Sequence, residues 1–276
     1  MQRFLQNITG MQGVAAASVG SVVLPPSLRY HALTIFCTAN GVLADPTTVC
    51  SNFKLKVGGV TIRDMSPDQA IRLAKLYKIT PGTGQIPIFF SEPWLADPRT
   101  REMFSWDLVG QGKFTLEMTF LSPGGGPGIQ NIVAEVDTVR NVVTDPKTKA
   151  QTPFLKIIKA KTESFIFAGA SRLGNVTLDK SLPIRRLLID ASANSFSDVE
   201  VIADSVSIVN QTTLTQLTNL LNNYGIDASK FTMPLVFDFD GLARSKLSAQ
   251  ALEVRLTATG ALTANFLNMQ EAAAFA

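Results

Sequence analysis

Apolar and polar residues alternate along many short stretches of this chain. Phe114, Leu116, Met118 and Phe120 are separated by Thr115, Glu117 and Thr119, and Leu252, Val254 and Leu256 by Glu253, Arg255 and Thr257. Period-two alternation turns one face of a strand to a core and the other to water or a partner. Further strands are read at residues 19–24, 30–37, 53–57 and 60–62, the last two flanking the hairpin signal Gly58-Gly59. Residues 86–90 and 233–237 are two more, each with proline in second place, which suits a sheet margin. Helical spacing occurs twice. Ser66, Pro67 and Gln69 form a capping box ahead of Ala70, Leu73, Ala74 and Tyr77. Thr213 and Gln216 do the same ahead of Leu217, Leu220, Leu221 and Tyr224, which share one expected face.

These elements recur in order because the chain is duplicated. Residues 20–40 align without a gap on residues 174–194, at an offset of 154. Identical pairs include Gly20/Gly174, Val22/Val176, Leu24/Leu178, Leu28/Leu182, Leu33/Leu187, Ile35/Ile189, Ala39/Ala193 and Asn40/Asn194. The match resumes at an offset of 147 with Gln69/Gln216, Leu73/Leu220, Tyr77/Tyr224, Pro87/Pro234 and Phe90/Phe237. Such a repeat implies two similar domains in tandem. The polar stretch 141–152, with Asp145-Pro146, is the expected boundary. The expected layout is an N-terminal arm over residues 1–14, a first domain over 15–145 and a second over 153–276. About eight short strands per copy indicate an all-β fold of two tandem eight-stranded jelly rolls, each a β-sandwich with one inserted helix.

Composition adds to this picture. With 276 residues, a net charge of +3, only 17% charged residues and a mean hydropathy of +0.18, the chain is apolar for a solitary monomer. Burial of surface against other subunits is therefore expected. The pI of 8.9 comes from scattered Lys and Arg without a block, so no sequence-specific nucleic-acid contact is expected. Two cysteines, Cys37 and Cys50, cannot staple a chain of this size and are read as buried free thiols, a bridge between them staying open. No stretch is long and apolar enough for a membrane span, and the N-terminus makes a poor signal peptide, so synthesis in the cytosol is expected.

Candidate chemistry is sparse. His31 is the one histidine, which argues against a site of several His ligands; it aligns with Arg185 and is read as a half-exposed strand residue. Gly124–Gly126, Pro127 and Gly128 lack the Lys-Ser/Thr of a phosphate loop and are read as a flexible connection. Asp238 and Asp240 could act as paired carboxylates, with Glu92 at the matching place in the first copy, but a solvated strand end is the plainer reading. Glu102, Asp107 and Glu117 show no partner pattern. Trp94 and Trp106 are read as core or interface anchors ahead of a sugar platform. Arg185 and Arg186 are adjacent in a strand, so their side chains should point to opposite faces and form no patch. Phe4, Leu5, Ile8 and Met11 fall on one helical face that could touch a membrane or a neighbouring subunit, or fray, with subunit contact preferred. No catalytic, cofactor-binding or metal-binding residue is assigned, and no cofactor.

The chain also resembles a known family. MQRFLQNITGMQGVAAASVGSVVLP, then FKLKVGGVTIRDMSPDQAIRLAKLYKI, GQIPIFFSEPWLADPRTREMFSWDLVGQGKFTLEMTF and TPFLKIIKAKTESFIFAGASRLGNVTL are similar in order and character to the double jelly-roll major capsid proteins of tailless icosahedral bacterial viruses with an internal membrane. The corticovirus type is the nearest likeness, within the tectivirus and adenovirus lineage. The resemblance implies a virion protein without enzyme activity, three copies of which form a pseudo-hexagonal capsomer. It implies neighbouring capsomers, penton and minor membrane-associated virion proteins as partners, and a lipid membrane on the inner face. A double jelly-roll glycoside hydrolase and a glycan- or receptor-binding virion protein are the alternatives.

Overall fold

The computed structural model describes residues 3–173, 178–191, 196–238 and 246–275. It contains two compact units. The first comprises Met1–Ala74, Thr80–Lys159 and Ala272–Ala276, and the second Lys75–Ile79 and Ala160–Glu271. The repeat positions Gly174, Val176, Ala193 and Asn194, and the candidate acid Asp240, lie outside the described residues.

In the first unit one sheet runs Phe4–Ile8, Pro127–Asp137, Arg29–Ala39, with Gln85–Phe89 also paired to Arg29–Ala39. A second runs Val60–Met65, Cys50–Val57, Phe114–Phe120, Val19–Leu24. Alternation does what the pattern asked. Phe114, Leu116, Met118 and Phe120 are buried, as are Leu33, Ile35 and Cys37 of the other sheet. Tyr30, Phe90, Trp106 and Phe114 make an aromatic core, with Trp106 and Phe90 centroids 4.5 Å apart and Tyr30 edge-on to Phe114 at 5.1 Å. Phe275, from the last residues of the chain, closes it against Trp106 at 5.1 Å.

The second unit repeats this plan. One sheet runs Ile157–Phe167, Leu262–Ala272, Ile184–Ala191, Met233–Val236. The other runs Val206–Thr212, Phe196–Ala203, Leu252–Ala258, Ser171–Leu173. Strand for strand the order equals that of the first unit. Its core gathers Leu187, Ile189, Phe196, Val199, Val201, Val254, Leu256 and Phe266. Each unit is thus an eight-stranded jelly roll, and the fold is a double one.

Both long helices form where their capping boxes are written. Ser66 Oγ accepts from Gln69 N at 3.1 Å while Gln69 Oε1 accepts from Ser66 N at 2.9 Å, and Pro67–Leu76 follows. Thr213 and Gln216 make the same exchange ahead of Leu214–Asn223. The expected apolar face of the second helix is only half buried. Leu217 and Leu221 are buried, whereas Leu220 and the C-cap residue Tyr224 stand in solvent. Two short helices also form, Pro46–Val49 and Pro98–Glu102, each capped by the aspartate before its proline.

The N-terminal segment corrects a helical reading. Phe4–Ile8 is a strand, in register with Val136 to Ile132 of Pro127–Asp137. A lone two-turn helix gains little in water, whereas the open edge of a neighbouring strand satisfies backbone groups along the segment. The stretch expected as a linker contains a hairpin, Val142–Thr144 with Gln151–Pro153, whose turn is held by Asp145 Oδ1 accepting from the Lys147 and Thr148 amides.

Candidate functional site

The titratable residues singled out above gather at two equivalent backbone irregularities. In the first unit the pairing of Arg29–Ala39 with Pro127–Asp137 shifts between Ala32↔Glu135 and Tyr30↔Val136, which leaves His31 as a bulged residue. In the second unit the pairing of Ile184–Ala191 with Leu262–Ala272 shifts between Ile184↔Gln270 and Arg186↔Met269, which bulges Arg185, the repeat partner of His31. A bulge breaks the strict alternation of side chains and re-aims one of them. This corrects two expectations at once. His31 is buried, not half exposed, and Arg185 and Arg186 converge instead of facing opposite ways.

At the first bulge, Asp137 is the hub. Arg29 donates to it from Nε at 3.0 Å and Nη2 at 2.7 Å, and His31 Nε2 lies 2.8 Å from Oδ2. The carboxylate can only accept, so the imidazole proton sits on Nε2. Burial would raise the Asp137 pKa, but hydrogen bonds from Arg29 and His31 outweigh it and hold it at about 2. Burial lowers the His31 pKa below the usual imidazole value despite the Asp137 contact, so a neutral ring is favoured. Glu102 joins the network by accepting from Arg29 at 3.1 Å and Arg3 at 2.8 Å, and Arg3 reaches Glu135 at 2.7 Å. Asp107 accepts from Arg140 Nε at 2.8 Å and from the Asn141 amide at 2.9 Å.

At the second bulge, Asp238 takes hydrogen bonds from both arginines. Arg185 donates from Nε at 2.9 Å and Nη2 at 2.6 Å, and Arg186 from Nε at 3.1 Å and Nη2 at 2.6 Å. Glu271 accepts from Arg185 Nη1 at 3.4 Å and from Lys246 at 2.7 Å. The backbone relates the two clusters. Phe237 N donates to Arg185 O as Phe90 N donates to His31 O, and Glu271 stands opposite Pro183 as Asp137 stands opposite Arg29. Tyr77, which belongs to the second unit, lies against the Arg186 guanidinium at 5.1 Å.

The chemistry of these clusters is that of buried ion pairing. Asp238 is not the solvated strand end expected from FDFDG; it is buried, and both its oxygens accept from guanidinium groups. Glu92 is buried as well. Glu117 pairs with Lys56 at 2.7 Å. Trp106 lies wholly in the core and Trp94 packs edge-on to Phe89 at 5.7 Å, so they form no shared platform. The glycine run makes a tight turn into Pro127–Asp137: Gly126 N bonds to Pro123 O at 3.0 Å, and Gly125, at φ +87°, lies so close to Asn40 that a Cβ would collide with the Asn40 side chain. A strand follows it, where a phosphate loop would have a helix. Cys37 and Cys50 are free and buried, with burial pushing the Cys50 thiol up to about 12. Among the described residues there is no cluster of metal-ligating side chains, and no helix is long and apolar enough to cross a membrane. Among the described residues no arrangement supports the glycoside hydrolase alternative.

The comparisons agree with the architecture. Residues 5–137 match the family model for the viral coat protein P2 N-terminal domain. Over these residues the chain belongs to that viral coat protein family. Among solved structures it is similar to the major capsid protein P2 of bacteriophage PM2, with a TM-score of 0.81 and 15% identity over 98% of this chain and 97% of that one. The major capsid protein of Sulfolobus turreted icosahedral virus superposes with a TM-score of 0.68 and 10% identity, covering 99% and 97%. PBCV-1 VP54 does so with 0.64 and 9%, covering 98% and 94%. At such low identities the structural likeness carries the fold, and that fold is the double jelly roll. No curated protein matches the sequence. The family match over residues 5–137 and the fold point the same way.

Proposed function

We propose that the protein is a viral major capsid protein and assembles as a pseudo-hexagonal homotrimer that tiles an icosahedral shell around an internal lipid membrane. The observation that carries this reading is the equal strand order of the two units. Three chains then present six alike lobes, and a block of near-sixfold outline packs flat facets while the differences between lobes fix its orientation. Residues 15–145, joined by the strand Phe4–Ile8, and residues 153–276 serve as the two jelly-roll domains, with the boundary near 141–152. Neighbouring capsomers, penton proteins and minor membrane-associated virion proteins are the partners; the membrane lies on the inner face, and nucleic acid is not contacted by sequence. The protein acts by assembly and performs no catalysis. Its scattered buried charges support this: each is spent on an internal partner. Light scattering on the purified protein tests the proposal. The expected mass is three times the 29.8 kDa of one chain and survives dilution; a monomer at every concentration overturns it.

A further inference from the structure

We propose that strand Phe4–Ile8 of one subunit pairs edge to edge with strand Val206–Thr212 of a neighbouring copy of this chain. The inference rests on the trimeric assembly above and names its seam. Val206–Thr212 ends its sheet: its neighbour among the described residues is Phe196–Ala203. Its side chains are largely in solvent, Val206 being 62% and Ile208 44% exposed. The segment VSIVNQT has no Lys, Arg or Pro, the residues that usually guard such an edge against pairing.

The duplication says what belongs there. The equivalent strand of the first unit, Val60–Met65, has Ile62, Arg63 and Met65 buried, and residues 157–159 lie beside it within that unit. Arg63 Nε donates to the Ile158 carbonyl at 3.1 Å, both within the first unit. Ile157–Phe167 in turn lies beside Leu262–Ala272, as Phe4–Ile8 lies beside Pro127–Asp137. Phe4–Ile8 is therefore the repeat counterpart of the strand that covers Val60–Met65. It is hydrogen-bonded on one side only among the described residues, with Phe4 44% and Leu5 74% exposed. Each chain thus carries one uncovered edge and one strand of the type that covers it, both apolar and both without charge between residues 4–8 and 206–212. A second copy supplies the match. Strand addition satisfies the bare backbone groups and buries Phe4, Leu5, Val206 and Ile208. The contact is head-to-tail, which closes after three copies into a ring.

The test places Leu5→Cys and Ile208→Cys in one chain and treats it with a short bismaleimide, which tolerates the register of adjacent strands; Cys37 and Cys50 are buried. Covalent dimers and trimers on a denaturing gel are expected from the double variant and neither from the single ones. A companion variant, Val206→Lys with Ile208→Lys, alters exposed positions; its circular dichroism should stay unchanged while its mass falls from trimer to monomer. A wild-type trimer that yields no cross-linked species, or a double-lysine variant that stays trimeric, overturns the seam and leaves the trimer standing. A monomeric wild type overturns both.

Discussion

Asp238→Asn is the sharpest probe of the energetics. The substitution keeps size and shape but removes the charge that faces Arg185 and Arg186, which are 0% and 2% exposed. Four hydrogen bonds of 2.6 to 3.1 Å lose their charged acceptor, and the new amide can turn N–H groups toward guanidinium N–H groups. Glu271 then remains as the counter-charge for Arg185, while it also serves Lys246. Removing one partner of a buried ion pair costs about 3–5 kcal/mol. In a domain of about 100 residues, each kcal/mol moves Tm by about 4–8 °C, so a loss of more than about 10 °C is expected. Scanning calorimetry of the wild type and Asp238→Asn reads this directly. The combined variant Arg185→Met, Arg186→Leu, Asp238→Leu removes the charges together, and should recover most of the loss because buried pairs are replaceable by well-packed apolar groups. A Tm within about 2 °C of wild type for Asp238→Asn would refute the reasoning.

Acid sensitivity should follow from the first cluster. The Asp137 pKa is lowered from 3.8 to about 2, so its contribution, about 2 kcal/mol, is complete above pH 4 and lost as pH falls through that window. His31, with its pKa lowered below 6.5, favours the neutral ring in the fold, so protonation of the unfolded chain already erodes stability as pH falls below that value. Urea midpoints measured between pH 7 and 2 should fall in the same direction throughout, and Asp137→Asn should flatten the acid limb; a midpoint that rises on acidification contradicts both assignments. Ser66→Ala and Thr213→Ala should each cost about 1 kcal/mol in denaturant titrations, since each side chain caps a helix through a reciprocal box. Cys37 and Cys50 should resist a thiol reagent in the native protein and react fully in guanidinium, because burial raises both thiol pKa values; rapid native labelling would contradict their placement.

Much of the fold was legible because local signals and the duplication agreed. Each capping box predicted its helix, Gly58-Gly59 its hairpin, and period-two runs such as Phe114–Phe120 their buried faces. The buried clusters were hidden for a definite reason. Alternation assigns Arg185 and Arg186 to opposite faces, and only a bulge, which leaves no mark in residue type, brings them together on Asp238. The burial of His31 was hidden in the same way, although its alignment with Arg185 placed cationic or proton-binding residues at one repeat position in both copies. Asp238 looked solvated because its partners lie 52 and 53 residues away in sequence. Phe4–Ile8 read as a helical face because spacing over so few residues fits either period, and the edge of Pro127–Asp137 decided the outcome.

The central claim is that two like jelly rolls in one chain make a shell-building block. Electron cryomicroscopy of virions containing this protein tests it most directly. Capsomers of hexagonal outline are expected, each built from three chains whose six barrels stand roughly upright in the shell, with lipid beneath. Capsomers containing six chains, or a shell from which this protein is absent, would contradict it.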